Sequence, residues 1–230
     1  MPALTFLGHS TVLVEDGSYT IIIDPFLVDN PVATMQPSDV SADFIVLTHG
    51  HADHIADAEP IAKKNNATVI ATYEVAVYMQ SLGCTAHLQH IGGAHDFPFG
   101  RVKFVAAFHG SAWIGPDGKT AAAGGMAAGV LVTIGGKTVC HAGDTGLFGD
   151  MKLIGERHAI DVAILPIGDN FTMGPDDALY AAELIGAPVV VPCHDNTFEL
   201  IEQDGAEFAR DVTAKGMRGV ELGVGELLEF

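Results

Sequence analysis

The densest group of chemically competent side chains is the segment His49-Gly50-His51-Ala52-Asp53-His54, with three histidines and one aspartate in six residues. Imidazole and carboxylate are ligands that divalent first-row metals use in proteins. With 11 histidines in 230 residues, chance would produce this pattern about twice in a thousand such chains. We therefore predict a metal site here, and the alternative is a solvated histidine-rich turn.

Three further polar residues follow apolar runs elsewhere in the chain: His109, Asp144 and His194. Taken singly, either histidine would be an ordinary residue at a strand end, and Asp144 would be a turn residue or a helix cap. Strand ends are also where an α/β scaffold presents site residues. Together with the histidine-rich segment, these three residues complete a predicted site for two metal ions.

Apolar and alternating runs predict the elements that must position these residues. A continuous apolar run at 44–48 is typical of a buried strand and leads directly into the histidine-rich segment. We predict strands at 4–7, 11–15, 19–23, 44–48, 68–71, 101–108, 130–134, 138–141, 161–165, 189–191, 220–222 and 226–228, and helices at 55–65, 72–82, 147–157, 175–185 and 204–215. This α/β mixture favours two sheets covered by helices over a single wound sheet.

The charge balance argues against several classes of partner. The chain has 11 Lys and Arg against 29 Asp and Glu, a formal net charge of −18, whereas a nucleic-acid-binding protein normally presents a basic face. No apolar run reaches the roughly 20 residues of a membrane span, and no basic amphipathic helix is visible. We expect a small-molecule substrate, with no nucleic-acid and no membrane partner.

The composition, 48% hydrophobic and 17% charged, is that of a globular protein. No linker, repeat or low-complexity stretch divides the sequence, so we predict one domain over residues 1–230. Cys84, Cys140 and Cys193 are odd in number and widely spaced, which implies no disulfide framework. Since the N-terminal residues also show no secretory signal pattern, we expect a cytoplasmic protein.

An ordered set of residues carries a resemblance to a known family. Asp24, the histidine-rich segment, His109, Asp144 and His194 span most of the chain in an order that resembles the metallo-β-lactamase superfamily of hydrolases. Four stretches narrow the resemblance: Leu7-Gly8-His9-Ser10, Asp24-Pro25-Phe26, His141-Ala142-Gly143-Asp144-Thr145 and Gly168-Asp169-Asn170-Phe171-Thr172-Met173-Gly174-Pro175. They resemble a compact bacterial and archaeal group of uncharacterised metal-dependent hydrolases, similar to the L-ascorbate-6-phosphate lactonases and to the N-acylphosphatidylethanolamine phospholipase D branch.

The resemblance implies a fold and a division of the ligands. The implied fold is a four-layered αβ/βα sandwich, two mixed β-sheets flanked by helices, with the site at one edge of the sheets. By position, His49, His51 and His109 would hold the first metal, Asp53, His54 and His194 the second, and Asp144 would bridge them. No cysteine is a ligand, so zinc is the expected metal because it needs no particular ligand field, with manganese, iron and nickel as alternatives.

Two such ions imply hydrolytic chemistry. Divalent ions about 3.5–4 Å apart share a hydroxide and lower its pKa towards neutrality, which makes it a nucleophile. We therefore predict a binuclear metal-dependent hydrolase that cleaves a small ester, lactone or phosphoester. Two dications, two carboxylates and one hydroxide leave about one positive charge, which favours an anionic or polar substrate.

Several residues outside the implied ligand set have expected supporting roles. Asp24 is predicted to lie behind the ligands and to hydrogen-bond a ligand histidine or the loop that carries it. His141 is predicted to lie behind the ligands in the same way or to have a structural role. We predict Asp53 and His9 as catalytic residues, with His9 facing the site mouth as a substrate-binding or acid–base group. The alternative for His9 is a structural hydrogen bond.

The remaining distinctive residues are less informative. Trp113 would either cap the substrate pocket or lie in a subunit contact, and the segment 170–174 would either line the pocket or form an ordered turn. His87, His90 and His95 match no metal template and are interpreted as loop residues.

Two other functions stay open at the level of sequence. The same fold could carry iron and act as a redox enzyme, although His51 and Asp53 point to the hydrolytic pattern. A non-catalytic module would use the metal for sensing, storage or fold stability, whereas structural zinc sites are closed and mostly single. An acidic, compact chain with apolar surface loops could also form a homo-oligomer.

Overall fold

The computed structural model describes residues 1–114, 119 and 121–230, and most of their strands form two large sheets. The first sheet contains β1 (Ala3–Gly8), β2 (Thr11–Glu15), β3 (Thr20–Ile23), β4 (Phe44–Leu47), β5 (Thr68–Thr72), β6 (Ala86–Gln89) and β16 (Leu227–Glu229). Its strand order is β16-β1-β2-β3-β4-β5-β6. Pairing is antiparallel from β16 to β3 and parallel from β3 to β6.

The second sheet has the same number of strands. It contains β7 (Ala94–Phe97), β8 (Gly100–Ala106), β11 (Ala128–Ile134), β12 (Lys137–His141), β13 (Val162–Pro166), β14 (Val189–Cys193) and β15 (Arg218–Gly219). Its order is β15-β14-β13-β12-β11-β8-β7. A separate hairpin, β9 (Ala112–Ile114) with β10 (Ala121–Ala123), lies between β8 and β11 in the chain.

Three apolar layers hold together these sheets and the six helices found among the described residues. The helices are α1 (Ala52–Ile55), α2 (Ala58–Asn65), α3 (Tyr73–Ser81), α4 (Met151–Arg157), α5 (Pro175–Ile185) and α6 (Gly205–Ala214). Along β8, Val102 and Phe104 pack between the sheets, whereas Val105 packs in the layer that contains α4, α5 and α6, because successive strand residues face opposite ways. Since α1, α2 and α3 cover the other sheet, the predicted four-layered sandwich is confirmed.

Local signals place several helices where the sequence predicts them. Pro175 begins α5 and Gly186 ends it in the left-handed conformation, at φ 67°, a combination that favours a sharp start and stop. Asp204 caps α6 by accepting a hydrogen bond from the backbone N–H of Glu207. The longest of the described helices has 11 residues, and none of them has the length and apolar character needed to cross a membrane.

The predicted helix at 55–65 is wrong at its start, because the chain forms two helices there. It turns at Asp57, whose carboxylate accepts hydrogen bonds from the backbone N–H groups of Leu27 (2.5 Å) and Val28 (3.1 Å). These bonds join the loop after Asp24 to the helix that follows the histidine-rich segment. The break therefore depends on a contact with a segment 30 residues earlier in the chain and not on a local signal.

The interpretation of His87 and His95 as loop residues is also wrong, although His90 lies outside any strand. His87 lies in β6 and His95 in β7, with ring centroids 4.3 Å apart. Both strands are edge strands with few buried side chains. Their sequences therefore lack the apolar pattern by which strands are recognised.

The C-terminal strands are displaced from their predicted positions. The strand expected at 220–222 is instead Arg218–Gly219, and the strand expected at 226–228 is Leu227–Glu229. Val220 and Leu222 pack against the inter-sheet core without being part of a strand. Their apolar character reflects burial rather than strand pairing.

Two neighbouring leucines on β16, one buried and one exposed, give a matched stability test. Leu228 is 4% exposed in the inter-sheet core, whereas its neighbour Leu227 is 53% exposed. We expect Leu228→Ala to lower the free energy of unfolding by about 2–4 kcal/mol, and Leu227→Ala to change it by less than about 0.5 kcal/mol. Urea unfolding of both variants checks this, and equal losses would show that β16 has a different register.

Candidate metal centre

The histidine-rich segment lies where β4 ends and α1 begins. His51 has extended backbone geometry and is the N-terminal cap of α1, so Asp53 and His54 lie in the first turn. Gly50 is tightly packed, because an added Cβ would lie 3.2 Å from Trp113 and 3.5 Å from Ser111, so a side chain there would require Trp113 to shift slightly. The Gly50 N–H donates to the Ser111 hydroxyl at 3.1 Å. The segment is thus held at both its strand end and its helix end.

The other predicted ligands come to the same edge from the second sheet. Strands β8, β12 and β14 run in the same direction, so their carboxyl ends meet at one edge. His109, Asp144 and His194 follow these three ends. The backbone N–H of Ala128 donates to the Thr48 carbonyl at 3.1 Å and joins the two sheets beside the site.

One group of donors consists of His49, His51, His109 and Asp144. The His51 Nδ1 atom lies 3.0 Å from His49 Nε2 and 3.3 Å from His109 Nε2. Asp144 Oδ2 lies 3.6 Å from His109 Nε2 and 3.9 Å from His49 Nε2. Ligands held about 2.0–2.1 Å from a tetrahedral ion are about 3.3–3.4 Å apart, so this spacing suits one ion.

A second group contains Asp53, His54 and His194, together with Asp144. Asp144 Oδ1 lies 3.3 Å from His54 Nε2, and Asp144 Oδ2 lies 3.0 Å from His194 Nε2. Asp53 Oδ2 lies 4.0 Å from both of these histidine nitrogens. The structure therefore brings all seven predicted ligands together, in the division that the family resemblance implies, with Asp144 between the groups.

The buried atoms of this cluster fit divalent cations. His49, His54, Asp144 and His194 are at most 2% exposed. His54 Nε2 and Asp144 Oδ1 are buried without a hydrogen-bond partner, and such atoms are costly unless a ligand satisfies them. Neutral imidazole and ionised carboxylate are also the forms that metals bind.

Burial and neighbouring charges set the pKa values of the cluster. Burial holds the pKa of His49 well below its usual value and also lowers that of His51 and His109, which keeps these rings neutral. Burial raises the pKa of Asp144, but His54 and His194 outweigh it and hold that pKa well below its usual value. Burial lowers the pKa of His54, but Asp144 and Asp24 raise it well above its usual value.

Asp24 is fully buried behind the ligands. Its Oδ1 accepts a hydrogen bond from the Thr48 N–H at 2.8 Å, and its Oδ2 accepts from the Thr48 hydroxyl at 2.6 Å and from His54 Nδ1 at 2.9 Å. The Thr48 hydroxyl, in turn, lies 3.0 Å from His49 Nδ1. Because Asp24 directs both Nδ1 atoms to act as donors, the Nε2 atoms of His49 and His54 are the ones that face the predicted metal site.

Replacing Asp24 by asparagine tests this role. Asparagine keeps an acceptor for the Thr48 N–H, but its NH₂ group would face the donors at His54 and Thr48. We expect metal affinity or activity to fall by about 10–100-fold, with far-UV circular dichroism unchanged. Excess metal should restore activity if the loss is one of affinity, and unchanged affinity and activity would show that Asp24 does not orient His54.

His9 occupies a different place from the predicted site mouth. It is 1% exposed, and its Nε2 lies 3.2 Å from Asp53 Oδ2 and its Nδ1 3.0 Å from the Thr197 hydroxyl. Burial lowers the pKa of His9 to about 4, so the ring is neutral. Nε2 then donates to Asp53, and Nδ1 accepts from Thr197. Although His9 lies within metal-binding reach of Asp53, His54 and His194, both of its ring nitrogens already have partners.

His141 is also buried with both ring nitrogens engaged. Its Nδ1 accepts a hydrogen bond from the Gly143 N–H at 3.1 Å, so Nε2 donates to the Ser10 carbonyl at 2.9 Å. Gly143 has a φ of 62°, and an added Cβ there would lie 2.7 Å from the Ala128 carbonyl oxygen. His141 therefore stabilises the turn that presents Asp144.

Three site residues adopt a backbone conformation that non-glycine residues rarely use. The φ angles are 57° for His9, 47° for Asp24 and 54° for His194. Such conformations cost on the order of 1–3 kcal/mol each and concentrate at functional sites. The His194 N–H donates to the His9 carbonyl at 2.8 Å, which links two of these three residues directly.

The two segments whose role the sequence leaves open both lie near the ligand loops. Trp113 stacks on Tyr78 with ring centroids 4.4 Å apart and closes over Gly50. In the segment 170–174, the Met173 N–H donates to the Thr145 carbonyl at 3.0 Å, and Phe171 is exposed. Each segment thus contacts a loop that carries ligands.

Sequence reasoning missed Thr48, Thr197 and Ser111. All three act through hydroxyl groups that bind Asp24, His9 and Gly50, respectively. Thr48 is the only one with a usable sequence signal, because it directly precedes His49 at the strand end. The other two are distant from their partners in the chain.

Comparison with known proteins gives consistent matches. Residues 19–194, a span that contains all seven predicted ligands, match the family described as the beta-lactamase superfamily domain. The UPF0173 metal-dependent hydrolases of Bacillus velezensis and Bacillus subtilis are each 54% identical over 227 residues, 99% of this chain and 99% of theirs. Igni18, a metallo hydrolase from the archaeon Ignicoccus hospitalis, is 35% identical with a TM-score of 0.89, covering 100% of this chain and 99% of that one.

Proposed function

Since this chain belongs to the beta-lactamase superfamily and to its UPF0173 metal-dependent hydrolases, we propose that its ligand cluster binds two divalent ions and hydrolyses a small ester, lactone or phosphoester. The observation that carries the proposal is the position of Asp144, whose carboxylate lies against nitrogens of both groups. A single ion would leave several of these buried donors without a partner, which is costly.

The proposed reaction divides between the ions and the chain. When bound, two divalent ions lower the pKa of a shared water towards neutrality and polarise an oxygen of the substrate. His49, His51 and His109 would hold one ion, Asp53, His54 and His194 the other, and Asp144 both. Asp24, through Thr48 and His54, keeps the ligand nitrogens correctly oriented.

Asp53 is the proposed proton acceptor of the reaction. Its side chain is 31% exposed, against 3% for Asp144, so it is the cluster carboxylate that a substrate can reach. His9 holds Asp53 from the buried side through Nε2. We therefore propose that His9 acts by positioning Asp53 rather than by touching the substrate.

The proposed substrate is polar or anionic at the bond that is cleaved. Two dications outweigh the three carboxylates of Asp53, Asp144 and the buried Asp24 by about one positive charge before a hydroxide binds, so the centre is positive within a chain of charge −18. A long polyanion would meet repulsion from the rest of the surface. Phe108, next to His109, is 65% exposed, and Phe198, whose ring centroid lies 5.6 Å from that of His9, is 41% exposed. These rings suit an apolar group beside the reacting bond.

Zinc is the proposed metal because five imidazoles and two carboxylates suit it without a required geometry. The three cysteines are buried and free, as expected in the reducing cytoplasm that we propose. The test is elemental mass spectrometry of the purified protein, combined with hydrolysis assays on a p-nitrophenyl ester, a phosphodiester and a panel of lactones.

Two metal ions per chain and hydrolysis that is lost on chelation would support the proposal and rank the substrate classes. His51→Ala should abolish the activity, whereas His90→Ala, an exposed histidine distant from the cluster in sequence, should leave it unchanged. One ion per chain, or two ions with none of these substrates hydrolysed, would contradict the proposal. Iron in the sample together with oxygen-dependent turnover would favour a redox enzyme instead.

A further inference from the structure

Two adjoining cavities lie on the outer face of the second sheet, beside α4. The first, here called the basic cavity, has a volume of about 250 Å³ and is lined by Arg101, Lys103, Thr133, Thr138, Arg157 and His158, among others. Val102 and Val132 pack between the sheets. Because side chains alternate along a strand, Arg101, Lys103 and Thr133 face outwards.

The basic cavity is lined by a large share of the few basic residues of the chain. The chain has only 11 Lys and Arg in 230 residues, yet three of them line this cavity. Lys103 and Arg157 both lower the pKa of His158, after the larger effect of burial, which places these groups within electrostatic reach of one another. Like charges that face each other are unfavourable unless an anion lies between them.

Nearby carboxylates neutralise only part of the group. Arg101 pairs with Asp96, and Lys103 donates to the neutral carbonyl of Gly92. Among the residues that the structure describes, no acidic group lies within ion-pair distance of Arg157 or His158. The hydroxyls of Thr133 and Thr138, 2.9 Å apart, add neutral hydrogen-bonding groups of the kind that bind oxyanions.

The second cavity, here called the apolar cavity, has a volume of about 230 Å³ and shares Lys103, Arg157 and His158 with the first. Its other lining is mainly apolar and includes Phe104, Val105, Phe148, Leu153 and Ile154. Leu153 is 54% exposed, a large apolar side chain in water. Its one carboxylate, Asp150, lies at the opposite end of α4 from Arg157, about 10 Å away along the helix axis.

We propose that these two cavities form one binding site for a small amphiphilic anion. Its phosphate or carboxylate group would lie among Lys103, Arg157 and His158, and its apolar body would cover Phe148, Leu153 and Ile154. Hydrogen bonds from charged residues to an ionised phosphate or carboxylate are stronger than hydrogen bonds between neutral groups. Apolar surface removed from water adds to the affinity.

The anion-binding groups are distinct from the predicted metal ligands, because Lys103, Arg157 and His158 all lie outside the ligand cluster. The apolar end of the site lies closer to the metal centre, since the ring centroid of Phe148 is 4.9 Å from that of Phe108, the residue before His109. The proposed binding itself requires no hydrolytic reaction.

Isothermal titration calorimetry of the metal-loaded protein with octyl phosphate tests the proposal, with octanol and inorganic phosphate as comparisons. A metal centre also binds oxyanions. The octyl phosphate binding assigned to the proposed site is therefore the portion of the calorimetric signal that is lost in Arg157→Gln. We expect Arg157→Gln to weaken octyl phosphate binding by about tenfold or more. Lys152→Gln, which makes the same charge change on α4 where Lys152 pairs with Glu156, should leave binding unchanged.

Octyl phosphate should bind more tightly than either octanol or inorganic phosphate. No binding below the critical micelle concentration of octyl phosphate, or equal binding by wild type and Arg157→Gln, would overturn the proposal. If inorganic phosphate binds as tightly as octyl phosphate, the apolar cavity contributes nothing and the amphiphilic class is wrong. Leu153→Asn, at an exposed position, should weaken octyl phosphate but not inorganic phosphate, and the reverse result would also overturn it.

Discussion

Asp144→Asn is expected to lower kcat/KM by about 10³-fold or more and to reduce the metal content below two ions per chain. The carboxylate of Asp144 faces His109 and His54, which belong to different ligand groups. An amide has one weaker oxygen ligand and a donor NH₂ group, which would point at a nitrogen lone pair or at a metal. Since metal catalysis supplies several kcal/mol of transition-state stabilisation, loss of the ion corresponds to a rate effect of this size.

The comparison that isolates this effect is Asp211→Asn, which makes the same chemical change at an exposed position in α6. Both variants are purified side by side, assayed on the best substrate of the panel and analysed for metal. Circular dichroism separates loss of the site from loss of the fold. If Asp144→Asn retains two ions and activity within tenfold of wild type, Asp144 does not bridge the ions and the proposed binuclear site is wrong.

The seven predicted ligands stand out in the sequence because each follows an apolar run or lies within one short segment. His109, Asp144 and His194 come from three strands of one sheet, and the parallel direction of those strands brings their ends together. Sequence pattern carries that information, because apolar runs mark strands and polar residues mark their ends. The division of the ligands between two ions came only from the family resemblance.

Residues that act through hydrogen bonds could not be predicted in the same way. The sequence leaves His9 open between a group at the site mouth and a structural hydrogen bond, because its contact with Thr197 spans 188 positions and depends on how the two sheets meet. The break at Asp57 likewise depends on a bond to a loop about 30 residues earlier in the chain. Edge strands β6 and β7 were missed because half-exposed strands carry no apolar alternation.

Removal of metal is expected to lower the melting temperature strongly as well as to abolish activity. An ion present at about 1,000 times its Kd stabilises the native state by about 4 kcal/mol for each independent site. For domains of 150–250 residues, each kcal/mol shifts Tm by about 2–4 °C. We therefore expect a fall of about 8–16 °C when one ion is removed, and a larger fall when both are removed.

The physical reason lies in the burial of the cluster. His49, His54, Asp144 and His194 are almost fully enclosed, and the Nε2 of His54 has no hydrogen-bond partner. Without metal, the ring nitrogens of His49 and His51 lie 3.0 Å apart, so one of them must carry a proton and donate it to the other. The metal-free folded state therefore loses the attraction between the ligands and the ion, but it keeps the cost of removing the buried polar groups from water.

Differential scanning calorimetry of metal-loaded, chelator-treated and re-loaded protein measures the effect. Asp144→Asn is the control for direct action of the chelator. The melting temperature of a variant with an impaired site should fall much less on chelation than that of wild type. Recovery of Tm on adding back zinc shows that the loss is reversible and due to the ion. If the metal-free and metal-loaded proteins melt at the same temperature, the cluster is stable without metal. The buried donors would then be satisfied by protons and water, and these residues would not form the catalytic metal site.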